Sequence, residues 1–229
     1  MNKIIRYILG ITVACLLPLS LYFIARHYSN GRIQLPAYYR IDRIEHNMDA
    51  KGKEISDTIF HQVNDLEGWN QLGEQVSLNQ DLKGKVLVVD FIFTTCRSTC
   101  PMLSASMQML QKSYTKKLPE WVQFVSISVD PDRDSIPALR AYANQYTKEH
   151  NTWWFMTGER EAIFNYAKNE LGLILSEADE PGAMMHSNKL VLIDSSRYIR
   201  GYYDGLDTLA MRQLADDIAI LYLEKKPKH

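Results

Sequence analysis

The sequence of 229 residues predicts an α/β fold led by an N-terminal membrane helix, and three observations predict it. The chain opens on an uncharged apolar stretch, residues 8–25 (I-L-G-I-T-V-A-C-L-L-P-L-S-L-Y-F-I-A). Further on, β-branched runs alternate with segments of helical periodicity in the order β-α-β-α-β-α-β-β-α, which implies an α/β sheet with mixed strand directions. Two cysteines, Cys96 and Cys100, fall where a buried run turns into a helix.

The first 25 residues read as a membrane anchor. With Ile4, Ile5 and Tyr7 beside it, the apolar stretch approaches the roughly 20 residues that span a bilayer, and Pro18 is tolerable in a membrane helix. Two alternatives compete with a retained anchor. A cleaved signal peptide wants small residues before the cut, where Phe23 stands. A lipoprotein signal at Val13-Ala14-Cys15 has Thr12 in place of an aliphatic residue and most of its apolar stretch after the cysteine. Lys3 and Arg6 favour a cytoplasmic N-terminus, softened by Arg26 and His27 on the other flank. The setting is then a bacterial inner membrane, crossed once, with the domain facing the periplasm.

Residues 26–52 show no periodicity and read as a tether. Residues 54–78 hold alternating and turn-like pieces suited to a hairpin. D-L-K-G-K at 81–85 turns the chain into a strand at 86–93. Pro101 opens a helix to about residue 117, with Leu103, Met107, Leu110 and Tyr114 at helical spacing. A second strand at 122–129 leads through D-P-D-R-D-S-I-P to a helix ending near Tyr146. Residues 153–156 form a short third strand, and 159–171 a helix that buries Ile163, Tyr166, Ala167 and Leu171. Residues 189–194 and 198–203 read as a hairpin around Ser195-Ser196. An amphipathic helix at 208–224, with Leu214, Ile218 and Leu221 on one face, closes the chain. This sets a globular domain at 53–224 and a tail at 225–229. A formal net charge of −1 and the lack of a basic tract beyond that tail leave no place for nucleic acid.

The dithiol carries the chemistry. A helix N-terminus, with its unpaired N–H groups and its dipole, favours thiolate over thiol. Thiolates there exchange with disulfides or bind soft metals. In an oxidising compartment the bland reading is a structural disulfide. A C-x-x-x-C loop is so short that closing it adds little through chain entropy, and the pair reads as reactive. A strand, a dithiol at a helix start and a later hairpin flanked by helices together describe a thioredoxin-like fold. The spacing is wider than C-x-x-C. On a regular helix residues four apart have Cβ atoms about 5–6 Å apart, whereas a disulfide wants about 3.5–4.5 Å. The turn can rearrange to close one, and the spacing suits two thiolates bridged by a metal.

Four motifs in order, over residues 76–224, resemble the Sco/SenC family of membrane-anchored, thioredoxin-fold copper proteins. They are T-T-C-R-S-T-C-P at 94–101, V-D-P-D-R-D-S at 129–135, W-W-F-M-T-G at 153–158 and H-S-N-K-L-V-L-I-D at 186–194. The resemblance implies copper, as Cu(I) or Cu(II), held by Cys96, Cys100 and His186. Soft thiolates suit Cu(I), and imidazole also accommodates Cu(II). It implies a metallochaperone, not an enzyme, that takes copper from a donor protein and serves the CuA-bearing subunit of cytochrome c oxidase. The alternative is a periplasmic thiol–disulfide oxidoreductase that keeps the CuA-site cysteines reduced. Reductases of this fold place a cis-proline before the strand facing the dithiol, where this sequence has M-M-H-S-N-K. A peroxidase would need a proline at a set distance before Cys96, and none is there.

Two departures from the family pattern stand near the site. Met184-Met185 precede His186 where some members have an acidic residue, and either is a weak soft ligand or core packing. Ser98 stands where relatives often carry aspartate. Met107 reads as core filler, and Met102 is the methionine closest to the thiols. The 130–134 loop reads as a turn, with Asp134 or Ser135 capping the next helix and Asp130 a candidate for a supporting role. The remaining histidines, His27, His46, His61, His150 and His229, read as surface or tether residues.

Overall fold

Seven consecutive buried residues with no polar face make a central strand, and the chain has two such runs. Numbered in chain order, the elements are α1 (Lys3–Ser29), β1 (Ile41–Met48), β2 (Glu54–Phe60), β3 (Glu67–Asn70), β4 (Gln75–Ser77), β5 (Val86–Ile92), α2 (Thr99–Tyr114), β6 (Val122–Ser128), α3 (Ile136–Tyr146), β7 (Trp153–Thr157), α4 (Arg160–Asn165), β8 (Lys189–Ile193), β9 (Ile199–Asp204) and α5 (Thr208–Lys225). They come from a computed structural model that describes residues 3–29, 35, 39–48, 54–114, 120–173 and 187–225.

The fully buried β5 and β6 lie side by side and parallel, in register from Val86↔Val122 to Ile92↔Ser128. The seven-stranded sheet runs β4-β3-β7-β6-β5-β8-β9. β7 continues the parallel run, whereas β3, β4, β8 and β9 join as antiparallel neighbours. The three parallel strands therefore end together at one edge of the sheet, and the loops leaving them meet there.

Strand alternation divides the core. Leu87, Val89 and Phe91 join Val125, Ile127 and Val129 in an aliphatic cluster with Met156, Ile163, Tyr166 and Leu171. Buried Leu103, Met107, Leu139 and Tyr142 come from α2 and α3. Tyr142 meets Phe155 edge-on with ring centroids 5.9 Å apart, and Phe155 stacks on Trp153 at 4.7 Å.

The described residues of 26–52 include regular structure that their sequence does not announce. α1 continues to Ser29, and β1 pairs antiparallel with β2 in a separate two-stranded sheet. Both faces of β1 are largely exposed, so its residues lack the alternation that marks a half-buried strand. The segment at 54–78 accordingly divides. β2 pairs back to β1, while β3 and β4 form a small hairpin joined to the main sheet through Trp69↔Thr157. The helix expected at 159–171 changes pitch. α4 gives way to a π-helical turn over Tyr166–Glu170, closed by Leu171 N–H donating to the Tyr166 carbonyl at 3.0 Å.

The chain divides into two compact units, Met1–Leu35 with Ile220–His229, and Pro36–Ala219. In the first, α1 is a continuous helix of 27 residues around Pro18, with Leu16, Leu17, Leu19, Leu21 and Phe23 exposed. Among the described residues, which leave out several side chains of α1, no helix is long and apolar enough to cross a membrane.

Candidate metal centre

At the C-terminal end of β5 the chain leaves the sheet without leaving its neighbours. Val129 N–H donates to the Ile92 carbonyl, and Cys96 N–H donates back to the Phe93 carbonyl at 3.2 Å, closing a tight turn. α2 starts at Thr99, so Cys96 lies in the turn and Cys100 in the first turn of the helix. Pro101 follows where a backbone N–H has no intrahelical acceptor to lose. Both cysteines are free thiols, and both are buried, at 7% and 3% exposure.

The turn is held by a residue expected to do something else. Asp134 is fully buried. Its carboxyl oxygens accept from Thr94 N–H at 3.1 Å, Thr94 Oγ1 at 2.5 Å and Ser128 Oγ at 2.5 Å. It thus ties the dithiol turn to the end of β6. Ser135 takes the N-cap position of α3 without a side-chain hydrogen bond, and Pro137 lies in the first turn. The 130–134 segment is a turn, with Arg133 and Asp134 N–H groups donating to the Asp130 carbonyl. Buried Asp130 pairs with Arg133 at 2.8 Å and Arg160 at 3.7 Å.

The two thiols differ electrostatically. Burial opposes ionisation of Cys96, but the amide and thiol of Cys100 and the amide and hydroxyl of Ser98 outweigh it and lower its pKa. The Cys100 amide is 3.3 Å from Cys96 Sγ, and the Ser98 hydroxyl 3.9 Å. For Cys100, burial raises the pKa, and its bond to Cys96 and the charges of Cys96 and Asp90 raise it further. The site therefore pairs a more acidic thiol, Cys96, with a protonated one, Cys100, and a metal that takes both sulfurs must displace the Cys100 proton.

Asp90 was not singled out by sequence, although it is the one charged residue inside the buried run of β5. Its Oδ1 accepts from Ser126 Oγ at 2.5 Å, and Ser126 Oγ accepts from Trp153 Nε1 at 2.9 Å. Its Oδ2 has no hydrogen-bond partner among the described residues. Burial lifts its pKa to about 7, against the Ser126 bond and one from its own backbone. Three of the sequence motifs thus converge on one place: the dithiol turn, the β6 loop through Asp134, and β7 through Trp153, Ser126 and Asp90.

His186, Met184 and Met185 lie outside the described residues. The chain after them is described: Asn188 accepts from Gly205 N–H at 2.8 Å, and its side chain donates to Asp204 at 2.6 Å. The antiparallel register Val89↔Val191, continued by two residues, sets Lys189 level with Phe91, so the chain enters β8 at the dithiol edge. Among the described residues no group of three or more His, Cys, Asp and Glu side chains is arranged to hold a metal ion. Met107 is fully buried, and Met102 is exposed. His61 is no bare surface residue: Asp42 lies 2.9 Å from its Nδ1 and Glu170 3.0 Å from its Nε2.

A mixed sheet with parallel central strands, and a dithiol where β5 passes into α2, define a protein of the thioredoxin type. The chain belongs to the SCO1/SenC family, whose profile matches residues 60–222. It is similar to the SCO1/SenC family lipoprotein from Bacillus anthracis, at 32% identity and a TM-score of 0.64, over 71% of this chain and 95% of that one. It is also similar to BsSco, a member of the Sco family of cytochrome c oxidase assembly proteins in which a disulfide switch has been identified. There the identity is 29% and the TM-score 0.61, over 71% and 95% of the two chains. Bradyrhizobium japonicum ScoI with copper bound shares the fold at 19% identity and a TM-score of 0.57, over 69% and 98%.

Proposed function

We propose that the protein is a copper metallochaperone. It holds copper as cargo through Cys96, Cys100 and His186, receives it from a donor protein, and delivers it to the CuA centre of cytochrome c oxidase. In this reading α1 is a retained single-pass anchor in a bacterial inner membrane, and the domain faces the periplasm. The continuous helix around the charge-free stretch supports the anchor. The place of the SCO1/SenC family in copper binding and oxidase assembly supports the cargo and its destination.

The observation that carries the reading is the state of the two sulfurs. They are unpaired thiols buried to 7% and 3% exposure, in a turn fixed by Asp134. Disulfide exchange with another protein needs in-line access to a sulfur, and this burial restricts it. A metal ion is small enough to reach them. Two thiolates suit Cu(I), and an imidazole adds what Cu(II) needs. The lowered pKa of Cys96 favours the second reading, a reductase of CuA-site cysteines, since a thiolate is also the nucleophile of exchange.

His186→Ala separates the two. The variant is expected to lose the thiolate-to-Cu(II) visible absorption, retain Cu(I) binding and fail to support oxidase assembly. Its dithiol should react with disulfides at close to the wild-type rate. Normal oxidase assembly by this variant would replace the chaperone reading with the reductase.

A further inference from the structure

We propose that the face of α2 beyond the dithiol, together with the turn from β9 to α5, is the docking surface for the protein that receives the metal. That partner presents an apolar patch surrounded by acidic side chains. The inference rests on the copper-transfer reading above.

The surface is built around one contact. Met102, Ser106 and Met109 are spaced i, i+4, i+7 and share a helix face. Leu103, Met107 and Leu110 turn the other way and are buried. Ser106 Oγ donates to the Gly205 carbonyl at 2.7 Å. Any Cβ on Gly205 would lie 2.4 Å from Leu103 Cδ2, so the backbone of the turn rests directly on the helix. Leu206 follows that glycine, and Leu209 stands at the start of α5, its N–H held by Asp207 Oδ1 at 2.9 Å. Met102, Met109, Leu206 and Leu209 are 57%, 63%, 41% and 71% exposed. Within the Pro36–Ala219 unit, setting aside Tyr39 and the β1–β2 hairpin, Trp69 is the other large apolar side chain exposed among the described residues. Such clustering marks an interaction surface where single scattered residues would not.

Two arguments specify the occupant. The first is position: Met102 is two residues beyond Cys100. A protein that takes metal from sulfurs this buried must bring its own ligands against the same sheet edge, covering what lies beside it. The second is charge. Among the described residues, α2 and the turn that leads into it carry no acidic side chain, while Arg97 and Lys112 are cationic. In the neighbouring turn Asp204 is offset by Lys189 at 3.7 Å, and Asp207 accepts from Leu209 N–H, so the cationic flank is the Arg97 and Lys112 side of α2. An acidic rim on the partner complements this side and speeds encounter.

The test uses the full chain in detergent micelles, loaded with Cu(I), and the purified metal-free CuA-bearing oxidase subunit as probe. Met109→Glu combined with Leu209→Glu is expected to weaken binding at least tenfold while Cu(I) stoichiometry and the melting temperature stay at wild-type values. Lys112→Glu, a surface change that leaves the core intact, should also weaken binding and flatten its salt dependence. Trp69→Glu should change nothing. Wild-type affinity in both α2-face variants overturns the surface and leaves the chaperone reading standing. So does a loss confined to self-association, or to binding of vesicles containing anionic lipid. If the wild-type chain binds Cu(I) but not the subunit, the partner and this surface both fall. If it binds no Cu(I), the chaperone reading fails first, and this inference with it.

Discussion

The two ends of β5 are each secured by one buried side chain, yet only one end retains reactive groups. At the N-terminal end Arg197, in the turn between β8 and β9, reaches beneath the loop that leads into the strand. Its Nε donates to Asn79 at 2.6 Å, its Nη1 to the Lys85 carbonyl at 2.9 Å, and its Nη2 to the carbonyls of Leu78 and Leu82 at 2.7 Å each. At the C-terminal end Asp134 gathers Thr94 and Ser128. Around Arg197 the polar groups are matched with one another. Beside Asp134 they are not: Asp90 Oδ2 has no hydrogen-bond partner among the described residues, and the pKa values of the two thiols are pushed in opposite directions. Buried polar groups that are fully paired add rigidity, and those left over are what chemistry can use.

If that contrast is right, damage at the Arg197 end is purely structural, and it is the largest effect expected. Arg197→Ala removes a donor from four acceptors, the buried Leu78 and Leu82 carbonyls and the half-buried Asn79 and Lys85 oxygens, of which Leu82 keeps the Lys85 N–H. Unpaired buried polar groups cost about 1–3 kcal/mol each, only partly additive and partly relieved by water, so a loss of about 3–5 kcal/mol is expected. The backbone at this position has φ 68°, which alanine accommodates no better than arginine. Urea denaturation should show the loss, while the folded fraction binds Cu(I) with unchanged stoichiometry. A variant of normal stability with altered copper binding would break the comparison.

Asp90 tests the other end through pH. A carboxyl group whose pKa rises from its ordinary value to about 7 on folding favours the native state most when protonated. Its contribution is fully present below about pH 4, and it is lost as pH rises through about 7. The difference between the two pKa values corresponds to a decline on the order of 4 kcal/mol across that window. Asp90→Asn removes the titration. The metal-free variant should show a nearly flat denaturation midpoint from pH 4.5 to 8, where the wild type falls. An equal fall in both would mean that Asp90 is not the buried group that titrates.

Much of this was legible in the sequence, because the core writes its own periodicity. The buried runs of β5 and β6, the helical spacing of Leu103, Met107 and Leu110, and the β8–β9 hairpin all stand where hydrophobic pattern put them. The pattern is silent where burial is absent, and β1 was therefore read as tether. At the site, the thiols were identifiable by residue type and spacing. The groups that govern them were not. Asp134 looks like a helix cap until Thr94 is brought to it from forty residues away, and Trp153 looks like core until its Nε1 is seen to hold Ser126. Such contacts are long-range in the chain and carry no local signal. The nearest to one was Asp90, a lone carboxyl group in an otherwise apolar strand.

The smallest expected effect probes the thiols themselves. The Ser98 hydroxyl is one of several donors that bring the Cys96 pKa down against the opposing effect of burial, and at 3.9 Å it is a weak one. Ser98→Ala should therefore raise that pKa slightly and leave the Cys100 amide and thiol in place. In the reduced, metal-free protein, alkylation by iodoacetamide at pH 7 should slow by about two- to threefold. The slowing is muted because a more basic thiolate is also the better nucleophile. The pH–rate profile should move upward as a whole and keep its shape. Of the two site cysteines, peptide mapping should place the label on Cys96 in both proteins, since Cys100 stays protonated and buried, and the exposed Cys15 is scored separately. Ser98→Asp sets a negative charge near the sulfur and should slow the reaction further. Labelling of Cys100 at a comparable rate would mean that the two sulfurs are equivalent, and the unequal pair at this end of β5 would have to be given up.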